Sequence, residues 1–322
     1  MTAGAGRRGR GGQEAQQVPD AEFSSYYGRP VVRETVWGPD IPSYLFLGGL
    51  AGASSGLAAG AHLIGNRKLA LAAKSVAAGS ISLSMAALVH DLGRPARFIN
   101  MLRVVKVTSP MSVGTWILSA YTPLALTAAG CYLTRKLPLI DAAATIGAAA
   151  LGPAVASYTG VLLGDTATPA WHDAHRELPY LFVGSAASAA GGFGMLAVRP
   201  DQARQAARLA VVGATAELTA RHLLERRLGP GAEPYRAGRP GTLMMAAEAL
   251  TVGGLAGAIL ARRHRVVAAC SGAALLLGSA LTRFGIFEAG RASARDPKYT
   301  VGPQRGRLRG HPDREPPAAE VQ

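Results

Sequence analysis

IPSYLFLGGLAGASSGLAAGAHLI, residues 41–64, decides the architecture. It contains no Asp, Glu, Lys or Arg, and its one ionisable side chain other than a tyrosine is His62 near its far end. An α-helix needs about 20 apolar residues to cross a hydrocarbon core of ~30 Å, so this stretch reads as a transmembrane span. Gly48, Gly52, Gly56 and Gly60 recur at every fourth position. That spacing lays small residues along one helix face, where a second helix can approach closely. Working outward, apolar blocks of similar length follow at 69–89, 112–133, 137–163, 179–198, 206–224, 242–260 and 266–287. The expectation is an all-α integral membrane protein with eight transmembrane helices.

The chain has 322 residues, 49% hydrophobic and 17% charged. Its mean hydropathy of +0.17 is mild because polar ends dilute apolar blocks. Residues 1–36 and 291–322 read as polar tails, the first too poor in apolar side chains to bury a core. The remainder divides into two four-helix bundles, 37–164 and 165–290. Forty glycines and only 6% aromatics mean that helix packing rests on small residues. The net charge of +14 is spread between spans and tails rather than on one soluble face, which argues against nucleic acid as a partner. Such charge holds loops at anionic membrane lipid. Cys131 and Cys270 lie inside apolar stretches, so neither a disulfide framework nor a metal knuckle is expected. The first 40 residues show no apolar core of a signal peptide.

Eight spans place both termini on one face, side A, with the loops after spans 2, 4 and 6. Side B carries the loops after spans 1, 3, 5 and 7. Within the connection after span 2, Phe98, Met101, Leu102 and Val105 recur at helical spacing, the mark of a short interfacial helix. Trp37 precedes span 1 as an interfacial anchor. YLFLGGLAGASSG at 44–56 matches YLFVGSAASAAGG at 180–192, and Leu92-Gly93 matches Leu228-Gly229 at the same offset. This predicts an internal repeat with both halves in the same orientation. Short basic side B loops, such as Arg67-Lys68 and Arg135-Lys136, favour a cytoplasmic side B. A reporter fused at Gln322 is then expected to report the outer side.

Ionisable groups at membrane depth are costly and are functional candidates by default. His90 and Asp91 end span 2 and Arg94 follows, close enough to pair with Asp91 if the helix continues. Asp165 follows span 4, Glu217, Arg221 and His222 lie late in span 6, and Glu248 lies in span 7. Asp40, Tyr44, His90, Asp91, Arg94, Trp116, Tyr158 and Asp165 all fall within a few turns of side A. One reading is paired charges that close helix ends; the other is a polar pocket for a redox molecule or a proton relay. Bis-His haem ligation needs two histidines at similar depth on facing spans. Only His90 and His222 meet that condition, each flanked by charge, so haem is not expected.

HDLGRPARFINMLRVVKVTSPMSVGTW at 90–116 and YTGVLLGDTATPAWHDAHRELPYLFVGSAASAAGG at 158–192 resemble the NrfD family of membrane subunits of polysulfide-reductase-type complexes. The opening IPSYLFLGGLAG and the tail DPKYTVGPQRGR extend the resemblance over about residues 37–305. The resemblance implies an eight-span subunit of the plasma membrane that binds quinone or quinol, menaquinone among them, without haem and without an iron–sulfur cluster of its own. It implies a ferredoxin-like four-cluster iron–sulfur partner and a molybdopterin catalytic subunit, of polysulfide reductase or formate dehydrogenase type. The family tyrosine of the quinone pocket corresponds to Tyr158. His90 and Asp91 then serve as proton donors or acceptors. Asp40, Tyr44, Arg94, Trp116 and Asp165 complete the expected pocket, with Arg94 holding Asp91 ionised. A transporter or proton channel, and a purely structural anchor, are the competing classes.

Overall fold

The computed structural model describes residues 31–94, 96–260 and 264–301. The distal parts of both polar tails, with the reporter position Gln322, and the side B bases Arg262 and Arg263 lie outside the described residues. Every regular element among the described residues is a helix: one short 3-10 turn at Gly229–Ala232, and otherwise α-helices. In order they are α1 (Asp40–Leu63), α2 (Arg67–Asp91), α3 (Ala96–Leu102), α4 (Pro110–Thr134), α5 (Pro138–Gly164), α6 (Pro169–Asp173), α7 (Leu178–Ala197), α8 (Arg204–Leu228), α9 (Glu233–Arg236), α10 (Gly238–Leu260) and α11 (Arg265–Arg295). The interfacial helix expected after span 2 is α3, shorter than its hydrophobic pattern suggested. The short helices α6 and α9 were read as loop.

Seven of the long helices are long and apolar enough to cross a membrane: α1, α2, α4, α5, α7, α10 and α11. The eighth long helix, α8, does not meet that measure, because it carries Arg208, Glu217, Arg221 and further charges along its length. Most of these charges near its end are partnered. Arg221 pairs with Glu225 at 3.0 Å and with Glu248 of α10 at 3.2 Å, and Arg227 pairs with Glu177 at 2.6 Å.

Breaks between helices follow local chemistry. Asn66 caps α2 by accepting the Leu69 N–H at 3.3 Å, and its amide donates to the Gln202 carbonyl at 2.7 Å, tying two side B loops together. Pro110 and Pro138 stand at the first turns of α4 and α5, where a missing N–H costs nothing. At side A, Trp171 of α6 donates its indole N–H to the Ile286 carbonyl at 2.8 Å, and Tyr235 of α9 donates to the Ala170 carbonyl at 2.8 Å.

The glycine stripe of α1 is not the continuous groove that its spacing suggests. Gly48 faces Ser84 of α2 and Gly52 meets the backbone of Gly152 in α5, but Gly56 and Gly60 face open space. A spacing of four drifts by about 40° per step on a 3.6-residue helix, so the stripe winds off the contact face. Where α1 and α5 do touch, and where Gly192 of α7 meets Gly272 of α11, a Cβ would run into the facing backbone.

Candidate functional site

The first half converges at side A. α1 begins there, α2 ends there, α4 begins there and α5 ends there. Between them lies a cleft lined by Trp37, Tyr44, Asp91, Met101, Gly114 and Tyr158, with Ile41, Leu88, Leu118 and Leu162 as apolar walls. Its free interior is about 70 Å³. That holds water but no aromatic ring, so a ring enters only as Trp37, Met101 or Met111 gives way. Met side chains suit this role, being unbranched and adaptable.

Tyr158 can occupy the cleft because the facing residue is Gly114. A Cβ at position 114 would fall inside the Tyr158 ring. The Tyr158 hydroxyl shares a hydrogen bond with the Tyr44 hydroxyl, and both side chains are buried. Tyr44 is held in turn from behind, its carbonyl accepting the Ser84 hydroxyl at 3.1 Å. Asp91 Oδ1 accepts the Gly38 N–H at 3.2 Å, which fastens the segment before α1 onto the end of α2. That segment is pinned again by ring contacts. Trp37 stacks on Trp171 at 6.0 Å, and Trp171 packs on Phe287 at 5.6 Å. It is pinned a third time by Glu34, which accepts from Arg291 at 2.7 Å and from Arg295 at 2.8 Å.

Three of the expected residues therefore come together: Tyr44, Asp91 and Tyr158. The others do not join them. His90 is 80% exposed and pairs with Asp40 at 2.8 Å outside the cleft. Neighbours on a helix point about 100° apart, and the rotation of α2 turns Asp91 to the cleft and His90 away from it. The expected pairing of Arg94 with Asp91 is absent. α2 stops at Asp91, Gly93 turns the chain at φ +69°, and Arg94 is exposed. Trp116 lies on the outer face and donates to the Val104 carbonyl at 3.2 Å. Asp165 is exposed just beyond α5. Sequence reasoning missed Gly114, Glu34 and Trp171, and placed Trp37 only as an anchor. The glycine inside SVGTW was the one available signal.

Arg295 and Arg291 hold the Glu34 carboxyl below the usual glutamate range, against a smaller opposing effect of partial burial. A lowered folded value means that the clamp is fully present above the ordinary glutamate value of about 4.3 and weakens as pH falls through the folded value. Glu34→Gln is expected to loosen residues 31–39 at neutral pH, seen as several-fold faster amide exchange at Trp37 and Gly38. Unchanged exchange contradicts the clamp.

Two further buried polar groupings stand away from the cleft. In the second half Glu217 accepts the Thr282 hydroxyl at 2.7 Å, and Arg283 donates to the Phe182 carbonyl at 2.7 Å. Near side B, Lys74 pairs with Asp141 at 2.5 Å, with the His62 ring 3.3 Å from Lys74. Among the described residues no group of three His, Cys, Asp or Glu side chains is placed to hold a metal.

Residues 31–214 match the profile of the family described as polysulphide reductase, NrfD. The chain belongs to the NrfD family. The match takes in all of the side A cleft and ends inside α8. With its apolar helices, membership makes this chain a multi-pass membrane protein of a family of membrane subunits of redox complexes. No curated protein sequence matches the chain.

Proposed function

We propose that this NrfD chain is the quinone-reactive electron-transfer subunit of a plasma-membrane oxidoreductase complex. The observation that carries the proposal is the meeting of the Tyr44 and Tyr158 hydroxyls with Asp91 in one apolar-walled cleft. The donor set fits a quinone. A phenol O–H can donate to a carbonyl oxygen while its ring packs on the head group, and a carboxylate can take or return a proton. The bound quinone supplies a two-electron, two-proton carrier. Tyr158 orients a carbonyl, Tyr44 restrains the Tyr158 hydroxyl, and Asp91 exchanges a proton at that end. Trp37 shields the cleft from water, and the exposed Met111 lies at its mouth, where an isoprenoid tail would leave. His90, paired with Asp40 at the surface, passes protons between Asp91 and solvent rather than touching the ring.

Cys131 and Cys270 are free, and two cysteines are too few to ligate a cluster, so a partner is needed to exchange electrons with the quinone. A four-cluster iron–sulfur subunit fits at side A. The connection after α3 exposes Val104, Val105 and Val107 there, an apolar patch beside the cleft. A molybdopterin subunit completes the complex beyond it. The proposal includes an eighth crossing by α8, supported by its start near the side B loop of Gln202 and its end at Glu177 on side A. It also includes two repeated bundles. The contacts of α1 with α2 and α5, and of α4 with α5, are mirrored by those of α7 with α8 and α11, and of α10 with α11. A second reading, proton conduction, is favoured by buried Glu217 Oε2 and Arg283 Nε and Nη1, which have no hydrogen-bond partner among the described residues.

Quinones quench indole fluorescence, so a naphthoquinone titrated into the purified chain tests the site. Saturable quenching that is lost in Gly114→Leu, whose side chain fills the cleft, supports it; saturable quenching that is unchanged in that variant refutes it. The purified chain is also expected to show no Soret or α-band change on dithionite reduction; a stoichiometric b-type spectrum would contradict this.

A further inference from the structure

At the opposite end of the first half, α1 and α4 end where α2 and α5 begin, and a second cavity of about 440 Å³ lies among them. His62, Arg67, Lys68, Tyr132, Arg135 and Lys136 line it. Among the described residues none of Arg67, Lys68, Arg135 and Lys136 has a carboxylate partner. Asp141 also lines the cavity, but its carboxylate is paired with Lys74 at 2.5 Å. The four cations are exposed, so solvent screens their mutual repulsion in part, and an anion seated between them would relieve the rest.

The loop that carries two of them is held in an unusual shape. Arg135 and Leu137 adopt φ of +56° and +59°, the left-handed region, and neither is glycine. Such conformations cost of order 1–3 kcal/mol each and persist where the surroundings hold them. Here they turn the chain sharply, so that Arg135 and Lys136 both line the cavity. The rim is apolar: Leu133, Leu137 and Leu139 are exposed beside it, and Leu71 lines it. Cations inside and leucines outside match the headgroup and the acyl chains of one lipid.

We infer that this side B cavity binds the phosphate of an anionic phospholipid, with Arg67, Lys68, Arg135 and Lys136 as its ligands. The site is independent of the quinone cleft, which lies at the other end of the same helices. Tyr132 closes one side, its hydroxyl donating to the Arg67 carbonyl at 3.1 Å and its ring lying under the Lys74 ammonium.

Native mass spectrometry of the full chain in mixed micelles of phosphatidylglycerol and phosphatidylcholine with equal acyl chains tests this. The wild type is expected to retain phosphatidylglycerol preferentially, and Arg135→Gln/Lys136→Gln to retain it roughly tenfold less. Arg204→Gln/Arg208→Gln removes two exposed side B charges outside the cavity and is expected to bind as wild type. Thermal unfolding and circular dichroism like those of the wild type show that both double variants are folded, and Arg135→Lys should bind more than the Gln double variant. Equal retention of the two lipids, or equal loss in both double variants, overturns the site. Inorganic phosphate is the alternative source of the same chemistry. If millimolar phosphate displaces phosphatidylglycerol and stabilises the chain as well as the lipid does, the lipid assignment falls.

Discussion

Lys74→Met is expected to lower the stability of the chain by about 3–5 kcal/mol, the range for removing one partner of a buried ion pair. Lys74 and Asp141 lie in different helices, α2 and α5, and both side chains are buried. Without the ammonium, Asp141 keeps, among the described residues, the Thr145 hydroxyl at 3.3 Å and the His62 ring at 3.7 Å. The double change Lys74→Met/Asp141→Leu is expected to recover most of the loss, because an apolar pair of similar volume carries no desolvation cost. Thermal unfolding in detergent reads both. A single variant as stable as wild type, or a double variant no better than the single, would contradict the buried pair.

Tyr158→Phe is expected to reduce quinone-linked turnover of the assembled complex roughly tenfold, the loss of one hydrogen bond worth about 1.5 kcal/mol. The ring remains, so the fit against Gly114 is unaltered. Dye-linked activity of the soluble subunits should not change. Tyr44→Phe removes only the neighbour that restrains Tyr158 and is expected to cost less. Gly114→Leu should be the most damaging of the three, because its side chain occupies the place of the Tyr158 ring. Normal quinone-linked turnover in both Tyr158→Phe and Gly114→Leu would mean that the cleft is structural.

The seven apolar helices were legible in the sequence because a membrane sets their length; each starts within a few residues of its apolar block, although α11 runs on past residue 287 to Arg295. α8 was the hard case, falling short of the apolar measure that the seven others meet. Arg227 and Arg221 find partners in Glu177, just before α7, and Glu248 of α10, Glu217 accepts the Thr282 hydroxyl with one oxygen, and no local pattern shows such partners. Tyr44, Asp91 and Tyr158 could be grouped because helix direction alone brings them to one end. Choosing between His90 and Asp91 depended on the rotation of α2, which packing decides. The Lys74–Asp141 pair spans 67 positions, and Asp141 drew no notice in a block that otherwise reads as apolar. Arg283 was likewise passed over, a buried guanidinium inside the last span. Glu34 looked like part of a polar tail, and only its meeting with Arg291 and Arg295 shows that this segment is fastened over the site.

The most direct test of the side A cleft is photolabelling of the purified chain with an azido-naphthoquinone, followed by peptide mapping. The account predicts label within residues 111–118 and 158–162 that is displaced by excess unlabelled quinone and lost in Gly114→Leu. Displaceable label confined to α7–α11, with none in the first four long helices, would contradict it.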